Sequence, residues 1–68
     1  MQKYILTLYN FYISEERIVS KQKIECNDFY EAYNVFEKTK IGYHDLLSLT
    51  EKNDPNNVLG FKHGEGLQ

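Results

Sequence analysis

Three side chains of this sequence have the chemistry of soft or borderline metal ligands, Cys26, His44 and His63, and the only arguable nucleophile and base are among them. A zinc site gathers four donors and usually takes two from a short clip such as CxxC or HxxxH. No two of these residues stand that close, so the spacing predicts no metal and no cofactor. Nucleophilic catalysis needs a base beside the nucleophile and donors for the oxyanion. Cys26 with His44 is the one candidate pair, without a nucleophile elbow, and Cys26 falls at the end of an expected strand, where burial is the rule. The remaining carboxylate pairs have structural explanations. Glu15 and Glu16 sit in a polar turn, and Asp28 with Glu31 has the spacing of a helix capping box. Gly64-Glu65-Gly66 is too short for a phosphate loop. The expectation is a non-enzymatic protein with no catalytic residues.

Binding chemistry is better represented. Arg17, Lys21 and Lys23 alternate along one parity of a strand-like run, and Lys3 lies near the start of another. With Tyr4 and Tyr12 they would form a basic surface with stacking rings, as single-strand nucleic-acid binders use. The competing explanation is a solvated edge strand whose lysines discourage pairing with other chains. A formal net charge of −2 favours that explanation, because non-specific nucleic-acid binding rests on strong positive charge.

The elements that must carry these residues follow from periodicity. Tyr4 to Ile13 reads as a first strand, rich in aromatic and branched residues. Ser14 to Glu16 is a turn, and Arg17 to Cys26 is a second strand hairpinned to the first. Its Ile18 and Ile24 are expected to mark the side turned to the core. Asp28 caps a helix predicted over Phe29 to Lys40, with Phe29, Ala32, Tyr33 and Phe36 on one stripe and Gly42 placed for a left-handed C-cap. Tyr43 to Glu51 reads as a third strand or a helical turn, Lys52 to Asn57 as a turn, and Val58 to His63 as a fourth strand. The predicted architecture is α+β, an antiparallel four-stranded sheet with one helix packed on one face, in the order β-β-α-β-β. Residues 1–63 would form a single domain and 64–68 a flexible C-terminal tail.

The first strand is apolar on both parities. One reads Ile5, Thr7, Tyr9, Phe11, Ile13 and the other Tyr4, Leu6, Leu8, Asn10, Tyr12. A strand with one wet face should alternate. One short helix covers one side of a sheet, so the second apolar side is expected to meet another molecule. If Ile5, Tyr9 and Phe11 face the helix, the partner-binding residues are Tyr4, Leu6, Leu8 and Tyr12, with Tyr30 and Tyr43 as further exposed anchors. A domain of 68 residues buries only roughly 60% of its unfolded surface. Its single cysteine allows no internal disulfide, so support from a homodimer or a complex is expected. The opening apolar stretch is too short and too rich in Tyr and Asn for a membrane span. With one thiol and no secretory pattern, a cytoplasmic setting is the expectation.

The composition leans on Tyr, Asn, Lys, Ile and Phe, Trp is absent and Ala occurs once, at position 32, which suggests AT-rich codons. That composition, the length and element order, and the capped helix Asp28-Phe29-Tyr30-Glu31-Ala32-Tyr33 together resemble small β-β-α-β-β proteins that phages encode to block bacterial machinery, anti-CRISPR proteins among them. The resemblance implies an inhibitor or regulator that acts sterically on a bacterial host protein or complex of defence or nucleic-acid processing, in the host cytoplasm. Two alternatives stand beside it. One is a small nucleic-acid-binding regulator using Arg17, Lys21 and Lys23, and the other is a homodimeric accessory protein.

Overall fold

The computed structural model describes residues 3–12 and 15–67, the side chains of residues 21 and 67 excepted. Ile13 and Ser14, read as the end of the first strand and the start of a turn, lie outside the described residues, as does Gln68. The protein is α+β, with one α-helix across one face of an antiparallel sheet. Strands β1 (Tyr4–Tyr12) and β2 (Arg17–Cys26) precede the helix α1 (Phe29–Lys38), and β3 (Asp45–Glu51) and β4 (Asp54–His63) follow it. In space the strands run β2-β1-β3-β4, so the two hairpins meet through β1 and β3.

The helix starts where its chemistry says it should. The Asp28 carboxylate accepts the Glu31 backbone N–H at 2.8 Å, satisfying an otherwise orphaned donor. Its end differs from the expectation. The helix stops at Lys38, and Thr39 is the C-cap in extended conformation, not a left-handed Gly42. The last turn closes on the Val35 carbonyl, which accepts the Thr39 N–H at 2.9 Å and the Thr39 hydroxyl at 2.6 Å, and the Lys62 ammonium donates to the Thr39 carbonyl at 2.7 Å. A cation there is also favoured by the helix dipole. Gly42 has a different task, donating its N–H to the Asp45 carboxylate at 2.9 Å. That carboxylate also accepts from the Asn10 side-chain amide at 2.9 Å, tying the entry of β3 to β1.

The core lies between helix and sheet and consists of Leu6, Cys26, Ala32, Phe36, Leu47 and Leu49, with Tyr4, Leu8, Val35 and Ile41 packed around it. Leu6 is 1% exposed and Leu49 and Ala32 0%. The parity of β1 is therefore opposite to the expected one: Tyr4, Leu6 and Leu8 turn toward the helix, and Ile5, Tyr9 and Phe11 turn away. Two local causes decide this. Cys26 is buried at the end of β2 and pairs with Tyr4, so the short link Asn27-Asp28 delivers the helix onto the Tyr4 side. A bulge then splits β2, since Leu8 pairs with Gln22 but Tyr9 with Ser20, leaving residue 21 unpaired. Ile24 and Cys26 stay on the helix side, whereas Ile18, expected beside them, emerges on the other.

The predicted apolar stripe of the helix is also narrower than its spacing implied. Ala32 and Phe36 are buried, but Phe29 and Tyr33 remain partly exposed. They stack at 5.7 Å between ring centroids, and Tyr4 meets Phe29 edge-on at 5.7 Å. Phe36 reaches β4 because Gly60 leaves room; a Cβ there would lie 3.3 Å from the Phe36 ring.

The ends of the second hairpin are corrected too. β3 begins at Asp45 instead of Tyr43, and β4 begins at Asp54, so residues read as a turn join the ladder around register irregularities. The predicted flexible tail is folded back over residues 64–67: Gly64 N–H donates to the Asp45 carbonyl at 2.9 Å and Gly66 N–H to the Tyr43 carbonyl at 3.0 Å, followed by a 3-10 turn over Glu65–Leu67.

Candidate interaction face

The candidate chemical residues do not converge. Cys26 pairs with Tyr4 at one end of β1, whereas the His44 carbonyl accepts the Phe11 N–H at the other, seven residues or about 23 Å along the strand. His63 pairs with Leu46 near His44 and makes a 2.9 Å contact between its Nδ1 and the Gly64 carbonyl oxygen. Among the described residues no group of three or more His, Cys, Asp or Glu is placed to hold a metal. Burial pushes the Cys26 thiol above its ordinary value, and the Glu31 and Asp28 carboxylates add to the shift. A reactive thiol needs the opposite. Alkylation of Cys26 by iodoacetamide at neutral pH should be at least about a hundredfold slower in the folded chain than in urea; equal rates would contradict the burial.

The basic strip is divided. Arg17 pairs with Tyr12 on the helix side, with its guanidinium 5.4 Å from the Tyr12 ring centre and an ion pair to Glu15. Lys23 pairs with Thr7 on the opposite face. The bulge at residue 21 separates them, and the Lys21 side chain lies outside the described residues. A continuous basic row is thus absent from the described side chains of β2. Lys3 and Lys52 are engaged with Glu25, at 3.2 and 2.8 Å, and hold its carboxyl below the ordinary range.

The expected partner-binding residues divide as well. Leu6 is enclosed and cannot meet a partner, while Tyr4 and Leu8 are partly buried against the core. Tyr12, Tyr30 and Tyr43 are exposed, Tyr30 most of all at 84%. Tyr30 lies on the outer side of the helix, and its ring meets Phe29 edge-on. The Glu37 carboxylate raises the pKa of the Tyr33 hydroxyl above its ordinary value.

The uncovered surface is the helix-free face of the sheet, and the pairing register describes it as cross-strand rows. Glu25, Ile5, Thr50 and Val58 form the first; Lys23, Thr7, Ser48 and Phe61 the second; Ser20, Tyr9, Leu46 and His63 the third; Ile18 and Phe11 begin a fourth. Ile18, Val58 and Phe61 are each 55% exposed and stand on the edge strands. Thr7 and Ser48, on the central strands, are buried at the floor. The relief is thus a trough between two ridges. Two adjoining grooves of about 260 and 280 Å³ occupy it and share Tyr9, Ser48, Thr50 and Pro55.

Sequence reasoning found the second apolar side but assigned it to the wrong parity. The missed link was the hairpin register. Cys26, read as buried at the strand-to-helix junction, marks the helix side of β2, and its pairing with Tyr4 carries that side to β1.

No helix among the described residues is long and apolar enough to cross a membrane. The chain matches no family model, no curated protein and no solved structure.

Proposed function

We propose that this chain is a non-enzymatic protein-binding module whose docking surface is the helix-free face of its sheet. The observation that carries this reading is the set of large apolar side chains left standing there, Ile18, Val58 and Phe61, beside Tyr9 and Leu46. Contiguous apolar surface on a small domain marks an interaction site, and aromatic anchors supply contact area with few rotors to immobilise. Scattered candidate ligands and a buried thiol support the non-enzymatic part.

In the finer form of the proposal, suggested by likeness to small phage-encoded inhibitors, the module occupies the surface of a bacterial complex in the host cytoplasm and blocks it sterically. Nucleic-acid binding through Arg17, Lys21 and Lys23 is the weaker alternative, because Arg17 and Lys23 lie on opposite faces. The test is retention of a bacterial protein by the immobilised chain. Val58→Glu should abolish retention with little change in Tm, whereas Tyr30→Ser, on the other side of the molecule, should not. Retention that survives Val58→Glu would refute the assignment of the face.

A further inference from the structure

We infer that the protein segment docked on this face presents an acidic side chain next to an apolar one, with the carboxylate seated over the Thr7 and Ser48 hydroxyls beside Lys23. The inference rests on the docking surface just proposed and specifies the chemistry of the partner that fills it.

The pairing register assembles the site in one cross-strand row. Lys23 pairs with Thr7, Thr7 with Ser48 and Ser48 with Phe61, so a cation, two hydroxyls and an aromatic ring follow one another across the sheet over about 14 Å. The hydroxyl residues form the floor. Thr7 is 5% and Ser48 8% exposed, yet among the described residues neither hydroxyl has a hydrogen-bond partner. Both residues line the groove of about 260 Å³, and neither oxygen is sealed from solvent, since His44 Nδ1 is the one unpartnered side-chain atom so enclosed among the described residues. Solvent can satisfy the two hydroxyls only while the face is open.

Docking removes that solvent. A partner that covers the floor with apolar atoms alone leaves two donors unmet, and each unmet donor costs binding free energy. It must bring acceptors. Residues directly opposite in a sheet hold their Cβ atoms about 4.5–5.5 Å apart, a span that one carboxylate closes by accepting a bond from each hydroxyl.

Charge selects the acceptor. Lys3 and Lys52, toward one end of the groove, are both engaged with Glu25. Glu51 borders that end too, but it pairs with Tyr4 and shares the parity of Leu47 and Leu49, which directs its side chain to the helix side. Lys23 is exposed, lines the groove and has no ion pair among the described residues. A neutral amide would serve the hydroxyls only, whereas an anion serves the hydroxyls and Lys23 together.

The adjoining groove of about 280 Å³ shares the floor at Ser48 and Thr50 and is walled by Ile18, Leu46, Val58 and Phe61. A lone anion would leave it empty. Same-side positions of an extended segment lie about 7 Å apart, so one segment can place an acidic side chain in the first groove and an apolar one in the second.

Selection from a library of random linear peptides on the immobilised full chain should enrich Asp or Glu close to Phe, Leu or Ile. Ser48→Ala should weaken the selected peptide by about tenfold or more in calorimetric titration, the scale of a lost bond to a charged group. Lys23→Glu, an exposed position, should turn the selected preference from acidic to basic residues. Tyr30→Ser should change neither result. Peptides enriched without an acidic residue, and lost in Val58→Glu, overturn the acidic partner but leave the docking surface standing. An acidic consensus that either Ser48→Ala or Lys23→Glu leaves unchanged puts the carboxylate elsewhere and overturns the inference. Oligothymidylate binding that is lost in Lys23→Glu, with no acidic peptide enriched, puts a phosphate in the groove and overturns it as well. No enrichment beyond that of the Val58→Glu chain overturns the docking surface itself.

Discussion

Gly64→Ala should lower the melting temperature by about 10–20 °C, from a loss of about 2–3 kcal/mol in a domain this small. A Cβ at this position would lie 2.1 Å from the Gly42 carbonyl oxygen, 2.4 Å from that of Tyr43 and 2.6 Å from the Tyr43 carbonyl carbon. These are backbone atoms, which cannot swing aside as the tip of a side chain can. The cause is close approach, because no glycine among the described residues has positive φ. To admit the methyl group the closing turn must lift away, weakening the Gly64 bond to the Asp45 carbonyl and the Gly66 bond to the Tyr43 carbonyl. Asp45 also holds Gly42 and Asn10, so the damage reaches the start of β3 and its seam with β1. Thermal unfolding by circular dichroism reads the effect. An unchanged melting temperature would show that residues 64–67 contribute nothing to the fold.

Leu49→Ala should cost about 3–4 kcal/mol, the usual toll of a truncated core leucine including the cavity it leaves. Leu49 sits in the centre of the sheet, paired with Leu6 on one side and Gly60 on the other, and is 0% exposed. The walls of the cavity have little freedom to collapse. Leu6 is fixed by ladders to β2 and β3, the backbone at position 49 by ladders to β1 and β4, and Phe36 is held over Gly60 with the Lys62 ammonium 5.1 Å from its ring centre. A domain of 68 residues has a total stability of about 3–10 kcal/mol. The variant should therefore be largely unfolded at 37 °C if the parent lies near the low end. Urea titration should show a lower midpoint at unchanged slope. A shift below about 1 kcal/mol would mean that the helix does not seal this side of the sheet.

The two effects differ in how far they could be anticipated. Leu49 belongs to a run rich in leucine whose burial is plain from its residues alone. Gly64 reads, in sequence, as part of a release from the last strand. Glycines between polar residues have the same composition whether a segment is free or is pressed against a neighbouring backbone, and the contact that tells these apart is made with residues more than twenty positions away.

Local chemistry was enough to locate the elements. Alternation in Arg17–Cys26, the cap at Asp28 and the spacing of Ala32 and Phe36 depend on neighbours within one strand or one turn, so they were legible in the chain and reappear in the structure. The excess of apolar residues in Tyr4–Tyr12 was equally legible, as was the inability of a helix about 15 Å long to shelter both faces. Which face it shelters was decided only in three dimensions. One unpaired residue at position 21 reverses the side on which Ile18 emerges relative to Ile24, and the direction of the link after Cys26 places the helix over Leu6 instead of Tyr9. Strand side chains have a period of two, so a single-residue irregularity exchanges core for surface without altering the alternation by which a strand is recognised.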